Sequence, residues 1–381
     1  MAKNKCCAEK DPKRLNKVGG QAVLEGVMMK AGPRTVTTCR KEDGSIVVND
    51  AEFVSVRKKH KILNIPILRG VINFVEMMIL SYKTLSASAE ALGIEEEDGK
   101  CEQWMKKHLG IGLTDFIMVI AMILGVALSV FLFMFLPSWA AGGINALCTY
   151  LGVEGGLGNN LLAVIEGGMK VVIFLLYLFL VSLIPDIYRT FQYHGAEHKS
   201  IACFEAGGEL TPERAKEYKR FHPRCGTSFM FLMILIGIFV GMFVRYILPD
   251  RSTFSSEALY STVVALTKIL LLPLTMGVGY EILMLAGKHD NFLTRLISAP
   301  GLWVQRITTK EPTEDMLEIA IISIKCALRD DFPEFEEFFE SKGWEKKPET
   351  ESTDVTDPET VSEETACEAA AEPKEEKNEA I

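Results

Sequence analysis

Residues 116–136 run for 21 positions without a charged side chain. A helix of that length is about 30 Å long, the thickness of a bilayer's hydrocarbon core. No other feature limits the fold as much. The chain is expected to be an α-helical integral membrane protein with about four transmembrane helices. The remaining spans are less uniform. The apolar run at 171–185 makes only about 22 Å of helix, so the second span must extend upstream through Glu166 and Lys170. Those two stand four apart, in the order that lets them pair on a helix. Residues 226–244 supply the third span, where Gly237-x-x-x-Gly241 offers a small-residue face for close helix contact. The fourth, roughly 258–286, carries Lys268, Pro273 and Glu281. Hydrophobic residues make up 48% and mean hydropathy is +0.18, which excludes a disordered chain.

Basic residues set an orientation. Segment 137–165 has none, whereas 186–225 carries Arg189, Lys199, Arg214, Lys216, Lys219, Arg220 and Arg224. The chain is therefore expected to be a multi-pass protein of the plasma membrane, with loop 186–225 and both termini cytoplasmic. Residues 1–18 have no apolar core. They read as a disordered N-terminus without a cleavable leader. Residues 19–60 read as a small β-rich cytoplasmic unit, in which RTVTTCR and SIVVND flank the turn pair Asp43-Gly44. AEFVSVRKK offers a third strand. Region 61–108 holds an amphipathic helix at 64–92, lying on the membrane or on the domain with a short buried or re-entrant segment as the alternative, and a charged linker.

The membrane domain at 109–290 is followed by a cytoplasmic helical region at 291–345. There EDMLEIAIISIKCAL repeats at helical spacing after Pro312-Thr313. Residues 346–381 read as a disordered acidic tail. Within 349–381 the charge balance is −10, so the net −9 of the chain leaves the rest near +1. Nothing in that balance points to nucleic acid. Nine cysteines without a CxxC pair fit a reducing compartment.

The chemistry concentrates in YHGAEHKSIACFE, just beyond the second span. At about 100° per residue, His194, Glu197 and His198 share one helix face. Two imidazoles four apart can hold one metal ion, and a neighbouring carboxylate can act as base on a water molecule. The order H-x-x-E-H inverts the zinc-peptidase signature. Glu205 falls on the same face but about 10 Å further along the axis, so a straight helix keeps it away from that pair. RFHPRCGTSF brings His222 and Cys225 to the start of the third span. Glu281 comes to the cytoplasmic end of the fourth. Cys225 also suits a buried structural thiol, and Glu281 an ion pair with Arg189 or Lys288.

Several ordered blocks resemble one known family. They are GGQAVLEGVMMKAGP, PILRGVINFVEMM, YHGAEHKSIACFE, FHPRCGTSF, MGVGYEILMLAGK and APGLWVQRITTKEP. Over roughly 18–330 the chain resembles the YqhQ-like bacterial membrane proteins, described as predicted metal-dependent enzymes. The resemblance implies functional weight for Gln21, Glu25, Arg69, Glu76, His194, Glu197, His198, Glu205, His222, Arg224, Cys225 and Glu281. The tail lies outside it. For Glu205 it implies either a helix that ends near Ser200 or a separate role, such as pairing with Arg220 or Arg224.

Two functions are expected from these residues. In the first, the chain is a metal-dependent hydrolase at the cytoplasmic membrane face. His194, His198 and one of His222 or Cys225 hold zinc or another divalent transition metal, Glu281 is a further ligand candidate, and Glu197 takes a proton from water. In the second, His194, His198, His222 and Cys225 close around the metal, and the protein is a non-catalytic adaptor that binds a membrane protein complex. A transporter using Lys268 and Glu281 is a third expectation.

Overall fold

The computed structural model describes residues 11–93, 113–153, 157–222, 225–288, 292–333 and 345–347. Residues 1–10, most of the charged linker, Arg224 and the acidic tail beyond 347 lie outside the described residues.

The Asp43-Gly44 pair does reverse the chain. Gly44 takes φ +84°, which an L side chain rarely adopts, and the Asp43 carboxylate accepts the Ser45 N–H at 2.8 Å. Strands β1 (Gly19–Val23), β2 (Gly26–Ala31), β3 (Arg34–Arg40) and β4 (Ile46–Glu52) pair antiparallel in sequence order. AEFVSVRKK adds no strand of its own. Its first residues finish β4, and Ser55 then caps helix α1 (Val56–Lys59) by accepting the Arg57 N–H. The cap chemistry outweighs the β-branched residues there. A further strand, β5 (Glu345–Lys347), pairs parallel with β4 at the boundary where the tail was expected to begin.

The sheet is covered on both faces. Val27, Met29, Val36 and Val48 pack against Ile319 and Ile322 of α12 (Glu314–Ala327), which starts after Thr313 as its sequence predicts. Val23, Met28 and Cys39 pack against Leu80 of α2 (Leu68–Ala91), the helix expected at 64–92.

The first apolar helix runs further than its uncharged stretch suggests. Helix α3 (Leu113–Val130) passes through a π-helical turn at Phe131–Phe135 into α4 (Leu136–Tyr150). Pro137 has no N–H and its ring crowds the carbonyl one turn earlier, so the wider π turn absorbs it without breaking the helix. The stretch Ile123–Tyr150 is long and apolar enough to cross a membrane, and much of segment 137–165 is helix.

Helix α5 (Asn159–Val181) does extend through Glu166 and Lys170, which pair at 3.0 Å. The expected loop 186–225 is mostly helical, as α6 (Pro185–Glu205) and α7 (Pro212–Lys216). Helix α8 (Gly226–Ile247) is the third apolar helix. Helices α9 (Glu257–Leu270) and α10 (Leu272–Lys288) meet at a 53° bend beside Pro273. Among the described residues three helices are long and apolar enough to cross a membrane, or up to four if the bent pair counts as one span. Of the Gly237/Gly241 pair only Gly241 lies in close contact, against Lys268 and Ala163. Helix α11 (Phe292–Thr308) packs along α8 and returns the chain towards α6.

Candidate metal centre

Helix α6 is polar on one face and buried on nearly every side in its second half, from Gly195 to Glu205. Its small residues explain how. A Cβ on Gly195 would lie 2.0 Å from the Lys310 carbonyl oxygen, so only glycine lets the 308–310 strap cross the helix there. The strap bonds at two points. The Lys310 N–H donates to the Phe191 carbonyl at 2.8 Å, and the His194 Nδ1–H donates to the Thr308 carbonyl at 2.8 Å.

One turn later the His198 Nδ1–H donates to the Arg220 carbonyl. A carbonyl can only accept, so both imidazoles carry their proton on Nδ1 and leave the Nε2 lone pair for a ligand. This is the arrangement that metal-binding histidines use. Their rings stand 4.4 Å apart, centroid to centroid.

The third donor comes from another element. Cys225 precedes the first turn of α8, and its Sγ lies 3.2 Å from His194 Nε2. The Thr227 hydroxyl donates to that sulfur at 3.3 Å. One ligand atom each from His194, His198 and Cys225 fall within 4.8 Å of one another. Donors around a tetrahedral zinc stand about 3.3–3.8 Å apart, so these three fit such an ion with small side-chain adjustments.

Glu197 Oε2 lies 4.0 Å from His194 Nε2, with its side chain buried. Burial pushes its carboxyl up to about 7, against the opposing pull of His194 and of the Gly20 N–H that it accepts. Strand β1 comes that close because Gly20 has no side chain. A Cβ there would meet Glu197 Cγ at 3.1 Å and the Met28 carbonyl at 2.6 Å.

The other sequence candidates separate into supporting positions. The His222 ring lies tilted beside that of His198, with centroids 5.7 Å apart, but its Nε2 faces Glu205 Oε2 at 3.6 Å and it does not join the trio. Helix α6 reaches Glu205 unbroken, so the alternative of an end near Ser200 is excluded, and Arg220 pairs with Glu311 instead. Glu205 also accepts the Asn16 N–H at 3.3 Å. Glu281 is not among the trio either. Both its oxygens take Arg69, and Oε1 accepts the Ile67 N–H at 3.3 Å, which ties α10 to the start of α2. The ion pair foreseen for it exists, with a different arginine.

Glu76 caps α1 through the Val56 N–H at 2.7 Å and the Ser55 hydroxyl. Gln21 joins β1 to Ser81 and Thr84 of α2. Glu25 holds Arg189 with both oxygens and accepts the Tyr193 hydroxyl at 3.3 Å. It does so from φ +46°, a strained position for a side chain of its size. Arg224 lies outside the described residues.

Gln305 escaped the sequence reading. It is fully buried, its Oε1 accepts the His222 N–H at 2.8 Å, and its Nε2–H donates to the His222 carbonyl at 2.8 Å. It therefore fixes the segment that carries both the Arg220 carbonyl and Cys225. The only available signal was a lone glutamine in the apolar pattern of APGLWVQRITTKEP.

Residues 65–330 match the family described as "Protein of unknown function (DUF1385)". The match takes in α2, every membrane-length helix and the whole His–His–Cys group, while strands β1 to β4 precede it. The chain is also 35% identical over 318 residues to the "Uncharacterized protein YqhQ" of Bacillus subtilis (strain 168). That alignment covers 82% of this chain and 92% of the relative. No solved structure matches.

Proposed function

The chain belongs to this DUF1385 family, and on that premise we propose a metal-dependent hydrolase at the cytoplasmic face of the plasma membrane. His194, His198 and Cys225 hold zinc or another divalent transition metal, and Glu197 moves the proton. One observation carries the reading: three donors converge on one point beside a buried carboxylate, and among the described residues the group numbers three. Closed structural sites use four protein ligands, whereas hydrolytic ones keep three and a place for water. A divalent ion there supplies Lewis acidity and makes water a stronger acid. Glu197 is placed to accept a proton from that side and return it to a leaving group. The carbonyls of Thr308 and Arg220 fix the tautomers, and the strap shields the imidazoles from bulk water. In the test, Glu197→Gln retains the metal and loses turnover in a screen of amide and ester substrates. Loss of metal from a folded variant, or unchanged turnover, contradicts it.

The bilayer is the proposed environment. Ile123, Leu124, Val126 and Leu128 on α3, Leu176, Phe179 and Leu180 on α5, and Phe239 and Phe243 on α8 are all exposed. Apolar surface of that extent is costly in water and at home in lipid. Helix α11 exposes Phe292, Leu296 and Trp303, with Arg306 stacked over the Trp303 ring, as befits a helix lying in the interface. The basic segment 186–225 supports a cytoplasmic position for the metal centre and for both termini.

The adaptor reading has one observation in its favour, the nearness of His222 to His198. In that case His222 closes the site, and the sheet with α2 serves as a docking unit for a membrane protein complex. His222→Ala separates the two readings. An open three-donor site keeps its metal in that variant, and a closed four-donor site loses it.

A further inference from the structure

A second group of charged side chains is buried at the other end of α5. Glu166 precedes the Val181 end of that helix by about 22 Å of axis, and the metal centre follows the Val181 end. Three cations reach its carboxylate: Lys170 at 3.0 Å, Arg245 of α8 at 3.1 Å, and Lys268 of α9. The Ser138 hydroxyl of α4 donates to it at 2.9 Å. The side chains of Glu166 and Arg245 are each 2% exposed and that of Lys268 5%.

Glu257, which lies close to Gly142 of α4, brings its own cation, Arg251, at 3.4 Å. Among the described residues the cluster therefore keeps two positive charges in excess. Such an excess is steeply unfavourable away from water. Two buried donors in the same region also have no partner: Arg245 Nε and Ser261 Oγ. Arg245 is 4% exposed and Ser261 1%.

Space around these donors is tight. A Cβ on Gly142, one turn along α4 from Ser138, would lie 2.4 Å from Ser261 Oγ. One on Gly241 would lie 3.4 Å from Lys268 Nζ. Val244, Tyr260 and Val264 wall the region with apolar surface. Arg251 and Glu257, each with a side chain 25% exposed, stand at the edge facing away from the metal centre.

We propose that Arg245, Ser261 and Lys268 form a binding site for a small monovalent anion, of chloride or formate size, entering past Arg251 and Glu257. The anion offsets the excess charge and gives the Arg245 Nε–H and the Ser261 hydroxyl an acceptor. The close approach of Gly142 to Ser261 Oγ favours a small ligand. The site stands independently of the metal reading.

The test uses the full chain in detergent. Its thermal unfolding midpoint is followed in sodium chloride, sodium formate and sodium gluconate at equal ionic strength, gluconate being too large to enter. The midpoint is expected to rise saturably in chloride, in formate or in both, relative to gluconate. Ser261→Ala, compared with its own gluconate midpoint, weakens that response about 10-fold. Glu166→Gln removes the competing carboxylate and tightens it. Equal midpoints in the three salts overturn the site. So does a rise of the same size and concentration dependence in Ser261→Ala, which marks a general salt effect.

Discussion

Replacing Gly195 by alanine tests how the 308–310 strap builds the proposed metal centre. In an ordinary helix interior Gly→Ala stabilises by about 1 kcal/mol. Here the new methyl would lie 2.0 Å from the Lys310 carbonyl oxygen and 3.5 Å from Pro312 Cδ. Real contacts of that kind stay beyond about 3 Å, so the strap must retreat by roughly an ångström. Overpacking of this sort costs about 1–3 kcal/mol. The retreat also breaks the Lys310–Phe191 and His194–Thr308 hydrogen bonds, both 2.8 Å, at about 1 kcal/mol each. Set against the helix gain, the net loss is about 2–4 kcal/mol, opposite in sign to the usual substitution. The His194 ring loses the acceptor that fixes its tautomer, so metal affinity falls about 10–100-fold. The assay is chemical unfolding of the purified chain with a parallel metal titration. Gly237→Ala serves as comparison, since nothing lies within 4 Å of a Cβ there. A Gly195→Ala protein as stable as wild type, with undiminished metal affinity, refutes the role given to the strap.

Gln305→Leu removes the two hydrogen bonds that Gln305 makes to the buried His222 backbone, and is expected to cost about 2 kcal/mol and to weaken metal binding through Cys225; equilibrium unfolding measures the first and a chelator competition the second. Arg69→Ala removes the two-point bond between the start of α2 and Glu281 and is expected to loosen that end of the helix. Limited proteolysis should then cut near residue 67 while metal content stays unchanged, and a loss of metal would return Glu281 to the ligand set. Burial raises the Glu311 carboxyl, but Lys199 and Arg220 outweigh it and hold the group below its ordinary value. Its pairing therefore contributes stability above the ordinary carboxylate range and loses it as pH falls through the depressed value. The stability gap between wild type and Glu311→Gln, under about 1 kcal/mol because the carboxylate is largely exposed, should narrow in acid; a gap that is independent of pH contradicts the pairing.

The parts of this fold legible in the sequence are those governed by local periodicity. The phase of His194, Glu197 and His198 follows from helical geometry, whereas the sequence leaves open an end near Ser200 and the structure carries α6 on to Glu205. Cys225 meets His194 because short connections keep successive helices together. Other features depend on partners remote in sequence. Nothing near Glu281 announces Arg69, which lies 212 residues away. Side-chain patterns also cannot show backbone acceptors, so the Thr308 and Arg220 carbonyls that orient the imidazoles left no trace. The first apolar helix covers 116–136 as expected and then runs on to Tyr150, because charge-free composition marks where a helix can sit in lipid but not where it stops. The stretch after Pro137 is equally free of charge, and a π turn carries the helix through.

The most direct test of the account is the metal-to-protein ratio, by elemental analysis, of the full chain purified without chelator. Wild type, His194→Ala, His198→Ala and Cys225→Ser are measured after each is shown to be folded. The account predicts about one divalent ion per chain in wild type, as expected of one tetrahedral site, and its loss from each of the three variants. Wild type without metal after growth and purification in zinc-supplemented medium contradicts it, as does a ratio that none of the three substitutions changes.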